Sequence, residues 1–262
     1  MKQSLKETNT RGGGEYIEPY VSYVEENNSV HYNPLVNETK LVVYYDIQDI
    51  SSPTTICTNY DSSIKSIEVD GTLLDSVVTT YQFDSVGEHI IKYEFNNSTV
   101  GNGSPLFNNL TTIKRAVIAD TFTSIGDNAF VNCTSLQSVI IPNSVTSIGS
   151  SVFEHCTSLT NITIPDSVTS IGNRAFDNCS GLTSITIGSN VTSIGQAVFF
   201  GCTSLTSVTS LATTAPSINY DTFQNVKTGG TLTVPQGSTG YDVWMDTSNY
   251  YLGLYNWTKV EQ

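Results

Sequence analysis

Phe130, Phe153, Phe176 and Phe199 stand 23 residues apart. Leu136, Leu159, Leu182 and Leu205 keep the same step, as do Cys133, Cys156, Cys179 and Cys202. Ile125, Ile148, Ile171 and Ile194 keep it too, each followed by a glycine (Gly126, Gly149, Gly172, Gly195). A fixed period of this length marks a stack of supersecondary units. One unit cannot bury its apolar groups alone, whereas neighbours in a stack bury them against each other. The spacing predicts ladders of Phe on Phe, Leu on Leu and Cys on Cys.

Within one period, "LTNITIP" alternates Ile162 and Ile164 with Thr163, the pattern of a short strand with one buried face. Pro165 lacks an N–H and ends the pairing. "SVTSIG" is a second short segment bearing Val168 and Ile171, and its glycine is suited to a turn. In "NRAFDNC", Ala175, Phe176 and Cys179 are spaced to share a face of one or two helical turns. Worn copies flank the four clear ones. Phe107, Leu110, Ile113 and Ile118 precede them; Phe223 in "YDTFQNV" and the "LTVP" ending at Pro235 follow. Worn terminal copies are what capping units look like. The fold class expected is mainly β: a solenoid of about 23-residue units, short strands plus short helical turns, preceded by a small β-sandwich.

The unit reads roughly V-T-S-I-G-x-x-A-F-x-x-C-T-S-L-T-S-I-T-I-P-x-S, and it resembles the BspA-like leucine-rich repeat of bacterial surface proteins over about Pro105 to Pro235. The resemblance implies adhesins, host-binding proteins and other surface proteins rather than one activity.

Four segments are expected. Residues 1–27, with "RGGGEYIEPY", read as a flexible tail or anchor. Residues 28–100 contain "KLVVYYDI", "SIKSIEVDGTLL", "VVTTYQFDSV" and "GEHIIKYEF", strand-rich and with a hairpin signal at Asp70-Gly71. They read as an immunoglobulin-like β-sandwich, and "VGEHIIKYEF" resembles the last strand of bacterial immunoglobulin-like modules. Residues 101–235 are the solenoid. Residues 236–262, holding both tryptophans, are expected to cap it, since an open solenoid leaves a sheet edge and an apolar cross-section; an aromatic ligand platform is the competing reading.

Net charge is −13, with 11 Lys plus Arg. Such a surface repels duplex nucleic acid and anionic membranes, and no apolar run approaches the ~20 residues that span a bilayer. "MKQSLKETNT" has no apolar stretch behind its lysines, so it does not read as a secretory signal.

Chemistry-bearing residues are few. The 23-residue Cys spacing fits neither a metal site nor a dense disulfide framework, so buried free thiols are expected. His155 sits where other units have Asn132, Asn178 and Gly201, and His89 lies in an expected strand. Neither has a nucleophile and an orienting group placed with it. No phosphate loop, dinucleotide fingerprint or calcium loop occurs. No catalytic residue, cofactor or metal is therefore expected. Five charged residues lie between Thr121 and Leu205, so the repeat surface is hydroxyl-rich. The outward strand positions Ile140, Thr163, Thr186 and Thr209 form a candidate binding strip. Phe200, where other units have Val131, Glu154 and Asp177, is a candidate exposed aromatic. The expected function is a non-enzymatic binding or adhesion protein, extracellular, with a protein or glycan partner. The alternative is a structural virion protein, a fibre or decoration protein of a Bacteroides-type phage, with other virion proteins as partners.

Overall fold

The computed structural model describes residues 25–26, 29–30, 40–58, 63–101 and 105–262. Two units are distinguished, residues 1–38 and residues 39–262. In the first, β1 (Glu25–Glu26) and β2 (Ser29–Val30) pair antiparallel. The expected tail otherwise lies outside the described residues.

The second unit opens with β3 (Leu41–Ile47), β4 (Thr54–Thr55), β5 (Ile64–Val69), β6 (Thr72–Leu73), β7 (Thr80–Tyr81) and β8 (Gly87–Phe95). The Asp70-Gly71 turn between β5 and β6 has positive φ at both residues (48° and 83°), as a two-residue hairpin requires. The coils follow. β9 (Thr99–Val100), β10 (Ile113–Val117), β11 (Ser124–Ile125), β12 (Ser138–Ile140), β13 (Ser147–Ile148) and β14 (Asn161–Ile164) come first. β15 (Ser170–Ile171), β16 (Ser184–Ile187), β17 (Ser193–Ile194), β18 (Ser207–Ser210), β19 (Thr231–Val234) and β20 (Thr258–Glu261) complete them.

An immunoglobulin-like sandwich over 28–100 is not confirmed by the strand order. β3, β5, β6 and β8 join two solenoid strands in one six-stranded sheet, ordered β12-β10-β3-β8-β5-β6. β10 is the junction: it pairs antiparallel with β3 (Ala116 opposite Val43) and parallel with β12 (Ala116 opposite Val139). β9 already forms the first rung of the solenoid's second sheet, β9-β11-β13-β15-β17, with Val100 opposite Ile125. The strand content was legible because Val, Ile and Tyr suit a pleated surface. Which strand pairs with which is a long-range choice that local pattern does not encode.

The solenoid has three ladders. One is the second sheet just named. Another is the parallel sheet β14-β16-β18-β19-β20. The third runs through the segments read as helical turns, which are not helices. Arg174 and Asn178 both have positive φ (56° and 55°), which breaks helical winding. Instead the N–H groups of Arg174, Phe176 and Asn178 donate to the carbonyls of Gln196, Val198 and Phe200 in the next coil. The second left-handed slot recurs at Asn132, His155, Asn178 and Gly201, so its residues are those that tolerate that conformation. The glycine of "SIG" has another role than the turn expected of it. A Cβ at Gly172 would collide with the Gly149 backbone of the coil below, so this column sets how closely coils stack.

The core is a set of side-chain columns. Rings 107, 130, 153, 176, 199 and 223 stack at centroid spacings of 5.0, 5.6, 5.4, 5.8 and 5.4 Å, with interplanar angles of 10–17°. Tyr93 closes the column edge-on at 5.2 Å from Phe107, and Trp244 closes the other end at 5.3 Å from Phe223. Tyr93 is itself fixed, its hydroxyl donating to the Ile56 carbonyl at 2.7 Å.

Two tryptophans of the C-terminal segment pack on the last coil, Trp244 against Phe223 and Trp257 beside Gly230. Trp244 and Trp257 are 1% and 5% exposed, which favours a cap over an open aromatic platform. Their indole N–H groups donate to the carbonyls of Pro216 (3.0 Å) and Lys227 (2.7 Å). Tyr241 donates to Ser210, a polar residue in an otherwise apolar inward column.

Candidate functional site: the outer strip of the parallel sheet

On β14, β16 and β18 the residues at alternate positions point outward. Thr163, Thr186 and Thr209 are in direct register, and Thr233 of β19 and Val260 of β20 extend the column. A second outward column runs Asn161, Ser184, Ser207, Thr231 and Thr258. Rungs of a parallel sheet lie ~4.8 Å apart, and residues two apart on a strand lie ~6.6 Å apart. Apart from Val260 at its end, the strip is therefore a two-column grid of hydroxyl and amide groups, with no charged side chain in either column. Beneath it, Ile162, Ile185, Val208 and Leu232 are buried, so the backbone carrying the grid is rigidly backed.

The candidate residues do not all meet there. Thr163, Thr186 and Thr209 share the strip. Ile140 stands one repeat before Thr163 on β12, half-buried between buried Val139 and Ile141, and pairs with Val117 of β10. Phe200 is half-buried on the turn face, where its carbonyl accepts from Asn178. Thr231 and Thr233 were not among the expected site residues, although the echo of "ITIP" in "LTVP" carried the signal.

The outer face of the six-stranded sheet is the opposite in character. Lys40 and Lys92 pair with Glu68 at 3.0 and 3.6 Å, Lys65 with Glu94 at 2.6 Å, Lys114 with Asp46 at 3.4 Å and Arg115 with Glu88 at 2.8 Å. Arg115 also lies 4.1 Å over the Tyr44 ring. Charge is thus concentrated and mutually neutralised at one end, and absent from the strip.

The thiols lie inside. All five cysteines are free and buried. Cys133, Cys156, Cys179 and Cys202 each donate S–H to a Phe carbonyl of the preceding coil, at 3.0, 3.2, 3.0 and 3.2 Å. Burial pushes the Cys133 thiol up to about 12 and the Cys57 thiol up to about 11, and raises the other three as well. Since the thiolate is the reactive species, these groups are expected to be inert when folded. Titration with an aromatic disulfide reagent should find no fast thiol in the native chain and five after denaturation without reductant. A native thiol that reacts within seconds would contradict this packing.

His89 and His155 are accounted for by their surroundings. His89 bonds Asp70 Oδ2 at 2.6 Å and the Ser85 carbonyl at 2.9 Å. His155 lies 3.8 Å from Glu154 and is well exposed. Among the described residues no cluster of three His, Cys, Asp or Glu side chains could hold a metal, and no helix is long and apolar enough to cross a membrane.

Among the described carboxyls, Asp177 is the one whose pKa is pushed up. Its side chain is nearly covered, and burial, helped by neighbouring Glu154, pushes its carboxyl up to about 6. An unfolded Asp titrates near ~3.9. Between these values the folded chain binds the proton that the unfolded chain has lost. This group's contribution to stability therefore rises as pH falls from 6 to 4, the reverse of an ion-paired carboxylate. Asp177→Asn keeps the acceptor for Asn178. It should gain about 1–2 kcal/mol at pH 7.5 and nothing at pH 4. Denaturation curves at the two pH values check it.

The sequence profile of the BspA type leucine rich repeat region matches residues 102–229, in six copies. Residues 102–229 belong to the BspA-type leucine-rich repeat family. No curated protein matches the chain. Among solved structures, the T. pallidum leucine-rich repeat protein TpLRR is 24% identical with a TM-score of 0.44, over 58% of this chain and 69% of that one. The pneumococcal vaccine antigen PcpA is 22% identical with a TM-score of 0.49, over 63% and 39%. A leucine-rich repeat protein from Bacteroides ovatus is 20% identical with a TM-score of 0.32, over 73% and 60%. These likenesses are too distant to locate a site in this BspA-type repeat region.

Proposed function

We propose that this chain is a non-enzymatic binding or adhesion module that works at a bacterial surface and presents its BspA-type repeats to a protein or glycan. The location rests on the repeat family, whose resemblance is to surface proteins. The face rests on one observation, the uncharged grid of Asn161, Ser184, Ser207, Thr231 and Thr258 beside Thr163, Thr186, Thr209 and Thr233. A partner meets there a flat, rigid array that needs little desolvation of charge and can hydrogen-bond at every rung. The ion-paired face of the six-stranded sheet offers no such array, since its charges already satisfy one another.

The triple variant Thr163→Arg/Thr186→Arg/Thr209→Arg tests this. All three positions point outward, so the fold should survive and melt normally. Immobilised wild type and variant would be exposed to mucin glycans, bacterial surface extract and phage particles. Loss of the wild-type ligand by a normally folded variant is the expected result. Equal capture by both would remove the strip from the binding face. Capture of phage particles alone would favour the virion role.

A further inference from the structure

The hydroxyls of the coils fall into two kinds. Those at the corners are used within the stack. Thr146, Thr169 and Thr192 donate Oγ1–H to the carbonyls of Thr123, Thr146 and Thr169 in the preceding coil, at 3.2, 3.5 and 3.2 Å. Thr183 and Thr206 donate in the same way to Thr160 and Thr183, at 2.9 and 3.3 Å. Those of the strip are left open. Among the described residues, the hydroxyls of Thr163, Thr186, Thr209 and Thr233 bond no protein group, and neither do those of Ser184, Ser207 and Thr231. Thr183 and Ser184 are neighbours in sequence, yet only the first uses its hydroxyl in the fold. None of the seven strip residues is buried.

This contrast sets what a partner must offer. A hydroxyl both donates and accepts, so an array of open hydroxyls is matched by another array of hydroxyls. A protein surface matches it less well. Its backbone groups are already paired, and its charged side chains would lose water against a strip that has no charge to offer in return. The spacing points the same way. Rungs β14, β16, β18 and β19 repeat every ~4.8 Å, whereas an extended peptide laid along the column presents same-face residues every ~6.6 Å and falls out of step. A pyranose chain linked through equatorial oxygens lies extended and advances by about one rung per sugar. The net charge of −13 repels an acidic chain, which leaves a neutral one. No aromatic side chain stands in either column, so a single sugar has no ring to stack on. Affinity must then accumulate over several rungs.

We propose that the ligand of the strip is a neutral, unbranched polysaccharide with equatorial linkages, lying along the columns across β14, β16, β18 and β19 with one sugar to a rung. The proposal rests on the strip being the binding face.

The whole 262-residue chain would be titrated with cellohexaose, chitohexaose, mannohexaose and xylohexaose, and with the disaccharide of each. Maltohexaose, whose linkage is axial, and hexamannuronate, whose sugars are acidic, serve as controls. At least one of the four neutral hexasaccharides should bind, about tenfold or more tightly than its disaccharide. Both controls should bind more weakly than it does. Thr163→Val/Thr186→Val/Thr209→Val keeps the branched shape that suits a strand, and should weaken hexasaccharide binding by about tenfold or more as three hydrogen bonds are lost. Absence of binding by all four hexasaccharides overturns the proposal. So does a disaccharide or a control that binds as well as its hexasaccharide, or a folded valine variant that binds like the wild type. If the valine variant loses its cooperative melt, Thr186→Val decides alone: about threefold weaker binding supports the proposal, and unchanged binding overturns it. The triple arginine variant separates this proposal from the reading beneath it. A surface protein captured by the wild type and lost by that variant, with no hexasaccharide bound, overturns the polysaccharide but leaves the face standing. A hexasaccharide that the arginine variant still binds removes the face and the proposal together.

Discussion

Phe176→Ala should destabilise the chain by about 3–5 kcal/mol, the range for deleting a buried Phe. Phe176 is fully buried, with Phe153 at 5.4 Å on one side and Phe199 at 5.8 Å on the other. Both coils are also tied to its backbone: its N–H donates to Val198, and the Ala175 carbonyl beside it accepts from Phe153. The coils therefore cannot slide together to refill the space, so the cavity term adds to the lost transfer term. The stacked geometry contributes further, about 0.5–1.5 kcal/mol for an aromatic pair. Denaturant unfolding followed by circular dichroism measures the loss. A change below about 1 kcal/mol would mean that the column carries little of the core's stability.

Deleting residues 237–262 should have a larger effect, causing the chain to aggregate. The deletion strips Trp244 from Phe223, Trp257 from Gly230 and Tyr241 from Ser210, and it removes β20 from β19. Three burial sites open at once, together with a strand edge whose inward residues, Leu232 and Val234, are apolar. Size-exclusion chromatography and thermal melting of the truncated chain should show aggregation and loss of the cooperative transition. A monomeric truncated chain with the wild-type melt would contradict the capping role. If that chain also lost a glycan that the full chain binds, the segment would be a binding site.

The period carried most of the solenoid in plain view. Phe130 to Phe199, Leu136 to Leu205 and the Cys column each state which residues of neighbouring coils touch, because a repeat places equal residues at equal heights. The burial of Trp244 and Trp257 was legible for a related reason, since they are large apolar groups next to the last coil. Two local errors came from conformation. The "AFDNC" spacing matches a helical face, but Arg174 and Asn178 adopt left-handed φ and turn the segment into a ladder. Gly172 answers a steric demand from Gly149 of the coil below, which its own flanking sequence does not express. The N-terminal strands were visible one by one. The pairing of β3 with β10 joins residues about 70 apart, and nothing in either segment names its partner. Of the candidate site, the threonine positions on β14, β16 and β18 were readable from alternation. Phe200 was readable only as an added aromatic where other units have Val131, Glu154 and Asp177; it is half-buried on the turn face.

The central structural claim is that one continuous core runs from the N-terminal sheet through the repeats to the cap, and amide hydrogen exchange tests it most directly. β10 is bonded to β3 on one side and β12 on the other. Its amides, and those of Leu41–Ile47, should be protected to a similar degree as those of Ser184–Ile187 in the middle of the solenoid. Exchange of the β3 and β10 amides within seconds, while the β16 amides stay protected for hours, would mean that the N-terminal strands form a separate body and that the continuous core does not exist.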